Sequence, residues 1–231
     1  MTQLIATMLI VIVACGLKEK GTTNYSELGE WGLKGEIKVI KAYYYKSVKN
    51  NGKDLSPIDK DQWDRMTLAY YNKVGIMDSL KIYNSENSNP MTFIYSKKDE
   101  ITYTYLVSEK DTTLFSKKQW VSRYHYVLEI LSSNKVESKE MYYLDENYRM
   151  KEIKREHYNL EDDSIDFTTG EKMYFNESNQ LDSIRLFSKG KLNDLTLNID
   201  LELDGNKNPV KSSKKVGQMD PYLIVREYTY Y

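Results

Sequence analysis

Two histidines, one cysteine and several carboxylate clusters are the residues here whose types suit catalysis or metal binding. His125 and His157 do not stand at the spacing of a two-His metal site, and no cysteine accompanies them. A strand-face or solvent-facing role is expected for both. Asp204-Gly205-Asn206-Lys207-Asn208 places side-chain oxygens at alternate positions, as at the start of a calcium loop. The twelfth position, however, is Lys215, where a bidentate glutamate is required, and the same residues suit a β-turn. Glu161-Asp162-Asp163 with Asp166 reads as a solvated turn, a weak cation site being the alternative. No serine lies in G-x-S-x-G and no glycine loop of phosphate-cradling type occurs. No catalytic residue, metal or cofactor is therefore assigned.

The aromatic residues are the next candidates. Tyrosine supplies 21 residues against 5 phenylalanines and 3 tryptophans, with runs at Tyr43-Tyr44-Tyr45, Tyr70-Tyr71 and Tyr142-Tyr143. Such runs suit a stacking platform for sugars or peptides, and Tyr43, Tyr45, Tyr71 and Tyr143 are the candidate binding surface for a protein or glycan. Consecutive strand residues face opposite sides of a sheet. The favoured expectation is therefore cross-strand aromatic pairing, worth about 0.2–1 kcal/mol per pair.

Positioning elements follow from composition and pattern. Lys plus Arg total 33 and Asp plus Glu 34. That balance argues against a nucleic-acid binder, which carries a basic excess. The first 14 residues read as a signal peptide, with a wholly apolar run from Leu9 to Ala14 that is too short to span a bilayer of about 30 Å. Ile12-Val13-Ala14-Cys15-Gly16 resembles a bacterial lipobox, which implies lipid attachment at Cys15 and a membrane partner through that anchor. The alternatives are a buried core cysteine, a plain secretory signal and an uncleaved anchor. Several acyl chains anchor stably where one holds only marginally. Residues 15–30 carry the lipidated Cys and a polar, glycine-bearing tether, so the folded part is expected near Trp31.

Residues 31–231 read as strands. Ile101–Val107 (ITYTYLV) and Leu195–Leu203 (LTLNIDLEL) alternate strictly with period two, the mark of a strand with one buried face. Met91–Tyr95 and Gly35–Tyr45 are weaker versions. Lys117–Leu131 favours strand, while Pro57–Met66 has acidic residues early and a Trp63–Met66 pair at helical spacing. The turns repeat as well. YLDENYRMKEI, YFNESNQLDSI and YYNKVGIMDSL align Asp145, Asn176 and Asn72 at the opening of a turn, with Asp204 as a degenerate fourth. Tyr148 and Asn179 stand where glycine is common, and Ile82–Lys139 contains no clear unit. The expected fold is all-β: an extended, twisted or curved antiparallel sheet of repeated hairpins behind an N-terminal signal helix.

This combination of lipobox, WGLKGEIKVIKAYYY (Trp31–Tyr45) and turns such as YLDENYRM resembles the YD/Rhs-type β-repeat and related lipoproteins of the Bacteroidota. The resemblance implies structure and placement in the bacterial cell envelope, lipid-anchored at the outer membrane, and no activity. The expected function is a non-enzymatic envelope lipoprotein presenting a β-sheet surface to protein or glycan. A lipid-carrier or lipoprotein-assembly factor is the alternative, with a concave cavity lined by Leu195, Leu197, Ile199, Leu201 and Leu203. A glycan-processing enzyme with dispersed carboxylates is the second alternative.

Overall fold

Period-two alternation runs through most of the chain from Ile37 onward, and in the computed structural model those segments are strands. The structure describes residues 25–46, 48–51, 54–85, 87–177 and 180–231. The segment read as a signal peptide, Cys15 and Asn179 lie outside the described residues. A one-turn helix, α1 (Glu27–Glu30), comes first. There follow β1 (Ile37–Tyr45), β2 (Val48–Asn51), β3 (Asp54–Pro57), β4 (Arg65–Tyr71), β5 (Met77–Asn84), β6 (Asn87–Lys98), β7 (Ile101–Val107) and β8 (Thr112–Ser122). The rest are β9 (His125–Ser132), β10 (Lys135–Leu144), β11 (Met150–Tyr158), β12 (Ile165–Phe175), β13 (Leu181–Ser188), β14 (Lys191–Leu203), β15 (Pro209–Val216) and β16 (Tyr222–Tyr230).

The fold is all-β and antiparallel, built from hairpins, as expected. Its sheet closes on itself: β4 to β16 pair in sequence order, and β1 completes a ring of 14 strands between β16 and β4. The β2–β3 hairpin stands apart and packs on the outside of the ring, where Leu55 covers Tyr45 and Leu223. Two expectations are corrected. Pro57–Met66 is not helical: Pro57 pairs with Val48, and Arg65 and Met66 pair with Tyr44 and Tyr43, so the ladder claims both ends of the segment. The folded unit also includes Tyr25–Glu30, assigned above to the tether, because these residues pack inside the ring.

The aligned turns share one geometry. The amides of Asn72, Asp145, Asn176 and Asp204 each donate to the carbonyl four residues on, at 2.9 Å in every case. Their side-chain oxygens accept the amide of that same residue at 3.1, 3.0, 3.0 and 2.8 Å. This is an Asx-stabilised hairpin loop. The fourth position is left-handed in Gly75 (φ 76°), Tyr148 (φ 61°) and Lys207 (φ 64°), so Tyr148 occupies a conformation that glycine adopts more readily. Asp204 is thereby a turn residue, its carboxylate holding the amides of Asn206 and Asn208.

Which face points inward differs from the sequence reading. In β14, Leu195, Leu197 and Ile199 are 39%, 43% and 57% exposed, whereas Thr196 between them is buried. Asn198 donates to the Leu181 carbonyl and to Asp200, and Asp200 accepts from Ser212, all within the ring. In β7, Thr102 and Thr104 face the lumen, and Thr104 is buried. The apolar face of both strands therefore lies outside. Leu195, Leu197, Ile199 and Leu203 are exposed rather than gathered in a concave lumenal wall, and Leu201 packs beneath the outer hairpin. A ring this wide places polar groups on strand neighbours that can satisfy them, which removes the usual cost of an inward polar face.

Gly75 tests the tie between turn and lumen. A Cβ there would meet Ser26 Cβ at 2.8 Å, whereas one at Gly190, with the same φ of 76°, meets nothing within 4 Å. Left-handed backbone alone costs a non-glycine residue about 1–2 kcal/mol. Gly75→Ala is expected to lower the urea unfolding free energy distinctly more than Gly190→Ala; equal losses would show that Ser26 does not press on this turn.

Candidate functional site

The segment before β1 reaches into the ring and closes one rim. Ser26 caps α1, its hydroxyl accepting the Gly29 amide at 2.9 Å, with Glu27 and Glu30 in the only turn. The amides of Glu27 and Leu28 donate to the Gly75 carbonyl at 2.9 and 3.3 Å. The Glu27 carboxylate accepts the Met77 amide at 2.7 Å. Tyr25 sets its ring against Trp120 at 4.7 Å and Tyr148 at 6.2 Å. Lys34 is held through its amide and carbonyl by the Asn208 side chain, each at 2.7 Å. Tyr25–Lys34 is thus fastened to β8 and to three turns of the same rim. The segment's sequence signal was Ser26-Glu27-Leu28-Gly29-Glu30, an N-cap followed by acidic residues.

Among the described residues, the plug carries the most deeply buried carboxylate. Glu30 is 4% exposed. Tyr25 and Tyr126 donate their hydroxyls to it, Tyr126 at 3.3 Å. Lys118 lies 3.9 Å from Glu30, 2.8 Å from Glu27 and 2.6 Å from the Tyr25 hydroxyl. Its ammonium also sits 4.3 Å from the Tyr126 ring centroid. Burial raises the Glu30 pKa above the ordinary carboxylate range, and the Lys118 charge opposes that rise. A second lumenal network places Arg155 between Glu140 at 2.8 Å and Glu171 at 2.6 Å, with Tyr142 donating to Glu140. These charges are held by one another.

Two adjoining cavities lie beside the plug, sharing Trp31, Tyr71, Met77 and Leu80 in their walls. One, of about 360 Å³, has an apolar wall of Ile82, Phe93, Phe115 and Leu128 with Tyr95 and Lys118 among its polar groups. Burial pushes the Tyr95 hydroxyl up to about 12, so it remains a hydrogen-bond donor at neutral pH. The other, of about 480 Å³, is lined by Ile40, Ala42, Ala69 and Leu181 together with Arg65, Asp200 and Arg226. Volumes of this order are those of small-molecule sites, which combine apolar walls with a few convergent polar groups.

The tyrosines proposed as one binding surface are not brought together. Tyr43 and Tyr45 point outward from β1 and stack at 6.4 Å, with Tyr45 buried under the hairpin. Tyr71 faces the lumen and lines both cavities. Tyr143 stacks on its cross-strand neighbour His125 at 4.4 Å. Strand alternation and their separation around the ring keep the four apart. The pairing expectation is met: Tyr126–Tyr142 and His157–Phe167 are cross-strand stacks at 4.6 and 4.2 Å. Both histidines are strand-face residues, and Cys15 lies outside the described residues. Among the described residues no group of three His, Cys, Asp or Glu side chains converges as metal ligands. Reading the sequence alone missed Glu30, Lys118, Arg65 and Arg226, whose only linear signals are single charges in alternating strands or a cap.

Compared with known proteins, the chain matches no family model and no curated protein sequence.

Removing Lys118 leaves two carboxylates without their cation. Lys118→Met is expected to cost about 3–5 kcal/mol near pH 7, the range for breaking a buried ion pair. Glu30 has a raised folded-state pKa, so the unfolded chain releases this proton first. Its contribution to stability is therefore intact at low pH and declines as pH rises through the folded value. The variant loses the cation that limits this rise, so urea midpoints should show a larger deficit at pH 7 than at pH 5. A pH-independent deficit would exclude Glu30 as the group left unpaired.

Proposed function

We propose that the chain is a lipid-anchored protein of the bacterial cell envelope whose barrel is a non-enzymatic binding module, with the ligand taken up in the lumen. The observation that carries the binding role is the pair of adjoining cavities, in which an apolar wall meets a cluster of polar and cationic side chains. The lumenal carboxylates Glu27, Glu30, Glu140 and Glu171 are engaged in ion pairs that brace the ring. That commitment favours binding over the glycan-hydrolysis alternative, which needs two facing carboxylates free to transfer protons.

The anchor rests on Ile12-Val13-Ala14-Cys15-Gly16 and the polar residues that follow. The outer face agrees with attachment by lipid better than with strands that cross a bilayer. Glu152, Lys154, Glu156 and Lys172 sit on the outside of adjacent strands β11 and β12, where a lipid-facing girdle is apolar. The kinship with YD/Rhs-type repeat lipoproteins in this reading rests on the sequence resemblance of the lipobox and the recurring turns.

A second reading, docking of a protein on the outer face, is favoured by the exposed Leu195, Leu197 and Ile199. Metabolic labelling with an alkyne palmitate in a bacterial host tests the anchor. The native chain should take up label and sediment with membranes, and Cys15→Ala should do neither. Equal labelling of the two would overturn it.

A further inference from the structure

One sector of the lumen carries cations that no carboxylate of the described residues pairs with. Arg65 on β4 and Arg226 on β16 flank β1 from its two sides, in register with Tyr44 and Ala42. Both line the larger cavity. The Arg65 guanidinium lies 4.2 Å from the Tyr44 ring centroid. One nitrogen of Arg226 donates to the Ser212 hydroxyl at 2.7 Å and to the Pro209 carbonyl at 3.3 Å. Lys214, facing inward on β15 opposite Tyr222, is the third. None of the three has an ion-pair partner among the described residues.

This contrasts with the rest of the lumen, where Arg155 and Lys118 each sit between two carboxylates. Asp200, the carboxylate that lines the larger cavity, is engaged by Ser212 and Asn198. Burial lowers the Lys214 pKa below the ordinary lysine range; Glu171 works against this, and Arg226 and Arg65 add to it. Lys214 is partly desolvated and repelled by Arg226 and by the more exposed Arg65, and an anion among them relieves both costs. Guanidinium groups bind carboxylates through two parallel hydrogen bonds.

Beyond these cations runs an apolar stripe, beside the ion-paired Glu27, Glu30 and Lys118 of the second cavity. Ile40, Ala42, Ala69 and Leu181 lead to the shared Leu80 and Met77, and then to Ile82, Phe93, Phe115 and Leu128 of the second cavity. A ligand with its charge at Arg65 and Arg226 has an apolar path ahead of it. We propose that the lumen binds an amphiphilic carboxylate, with the head between Arg65 and Arg226 and an alkyl or aryl tail directed along Leu80 toward Phe93. The proposal rests on the reading of the barrel as a binding module and deepens it by naming the ligand class. It does not depend on the anchor.

Calorimetric titration of the full chain carrying Cys15→Ala tests it, with sodium dodecanoate below its micellar concentration as the probe. Dodecyltrimethylammonium supplies the same tail with the opposite charge, and inorganic phosphate supplies an anion without a tail. Dodecanoate should bind at one site per chain, more tightly than either comparison. Arg65→Gln and Arg226→Gln should each weaken it about tenfold, the scale of one lost charge-assisted hydrogen bond. Lys215→Gln, a cation on the outer face, should leave it unchanged. Arg65 is solvent-exposed, so its variant reports on binding even where Arg226→Gln perturbs folding. Dodecyltrimethylammonium or phosphate binding as tightly as dodecanoate would overturn the assignment, as would an affinity indifferent to Arg65. Failure here leaves the labelling result at Cys15 untouched, and binding of a different small ligand in the lumen would retain the module while removing this ligand class.

Discussion

A closed ring of fourteen strands encloses more space than its own inward side chains can fill, and the rest of the structure is a response to that constraint. Rings of about eight strands are filled by their lining residues. Here the chain supplies a plug. Tyr25 to Lys34 enters one rim, packs Leu28 against Ile37, Ile40, Ala69 and Tyr71, and sets Tyr25 against Trp120 and Tyr148. It thereby contributes to two hydrophobic clusters, Leu28 to one at β1, β4 and β16 and Tyr25 to one at β9 to β13. A plug that turns through a single helical turn cannot satisfy its own backbone, so its amides are received by Gly75 and Asn208 of the rim turns.

Width also explains the abundance of tyrosine. A lumen that is neither dry core nor open channel needs side chains with an apolar body and a polar tip. Tyr126 stacks on Tyr142 and donates to Glu30, so one residue serves packing and charge solvation together. Tyr142 does likewise with Glu140, and Tyr230 with Asp204. Buried Glu30 and Glu140 are tolerated because a tyrosine hydroxyl and a cation reach each one, and isolated they would be expelled or protonated. The pattern breaks at Arg65, Lys214 and Arg226, which have no ion-pair partner among the described residues; Arg65 and Arg226 line the larger cavity.

Much of the fold was legible in the residues. Alternation in ITYTYLV and LTLNIDLEL placed β7 and β14, and the recurring Asn or Asp placed four turns with a common geometry. Pro57–Met66 misled because a few acidic residues near a Trp–Met pair mimic a helix start, while the ladder to Tyr43 and Tyr44 is invisible locally. The stretch Ile82–Lys139 lacks the turn signature yet forms regular strands β6 to β9, since short loops of other sequence close those hairpins equally well. Of the candidate site, only Tyr71 was anticipated, and for a surface rather than a lumen.

The sequence by itself determined that this chain is a series of antiparallel hairpins, where the Asx turns fall, and that tyrosines would pair across strands. These are local properties, set by period-two alternation and by side chains that bond their own turn backbone. Only the tertiary structure decided which face is inside. Alternation specifies two faces without assigning either to the interior; in β7 and β14 Thr104 and Thr196 are buried, and Asn198 turned inward, where the Leu181 carbonyl of the neighbouring strand and Asp200 accept from it. Closure of β1 onto β16, the descent of Glu30 onto Lys118 and Tyr126, and the meeting of Arg65 with Arg226 around β1 are likewise joint properties of distant segments. Each depends on how many strands complete the ring and in what register, which no short window of residues contains.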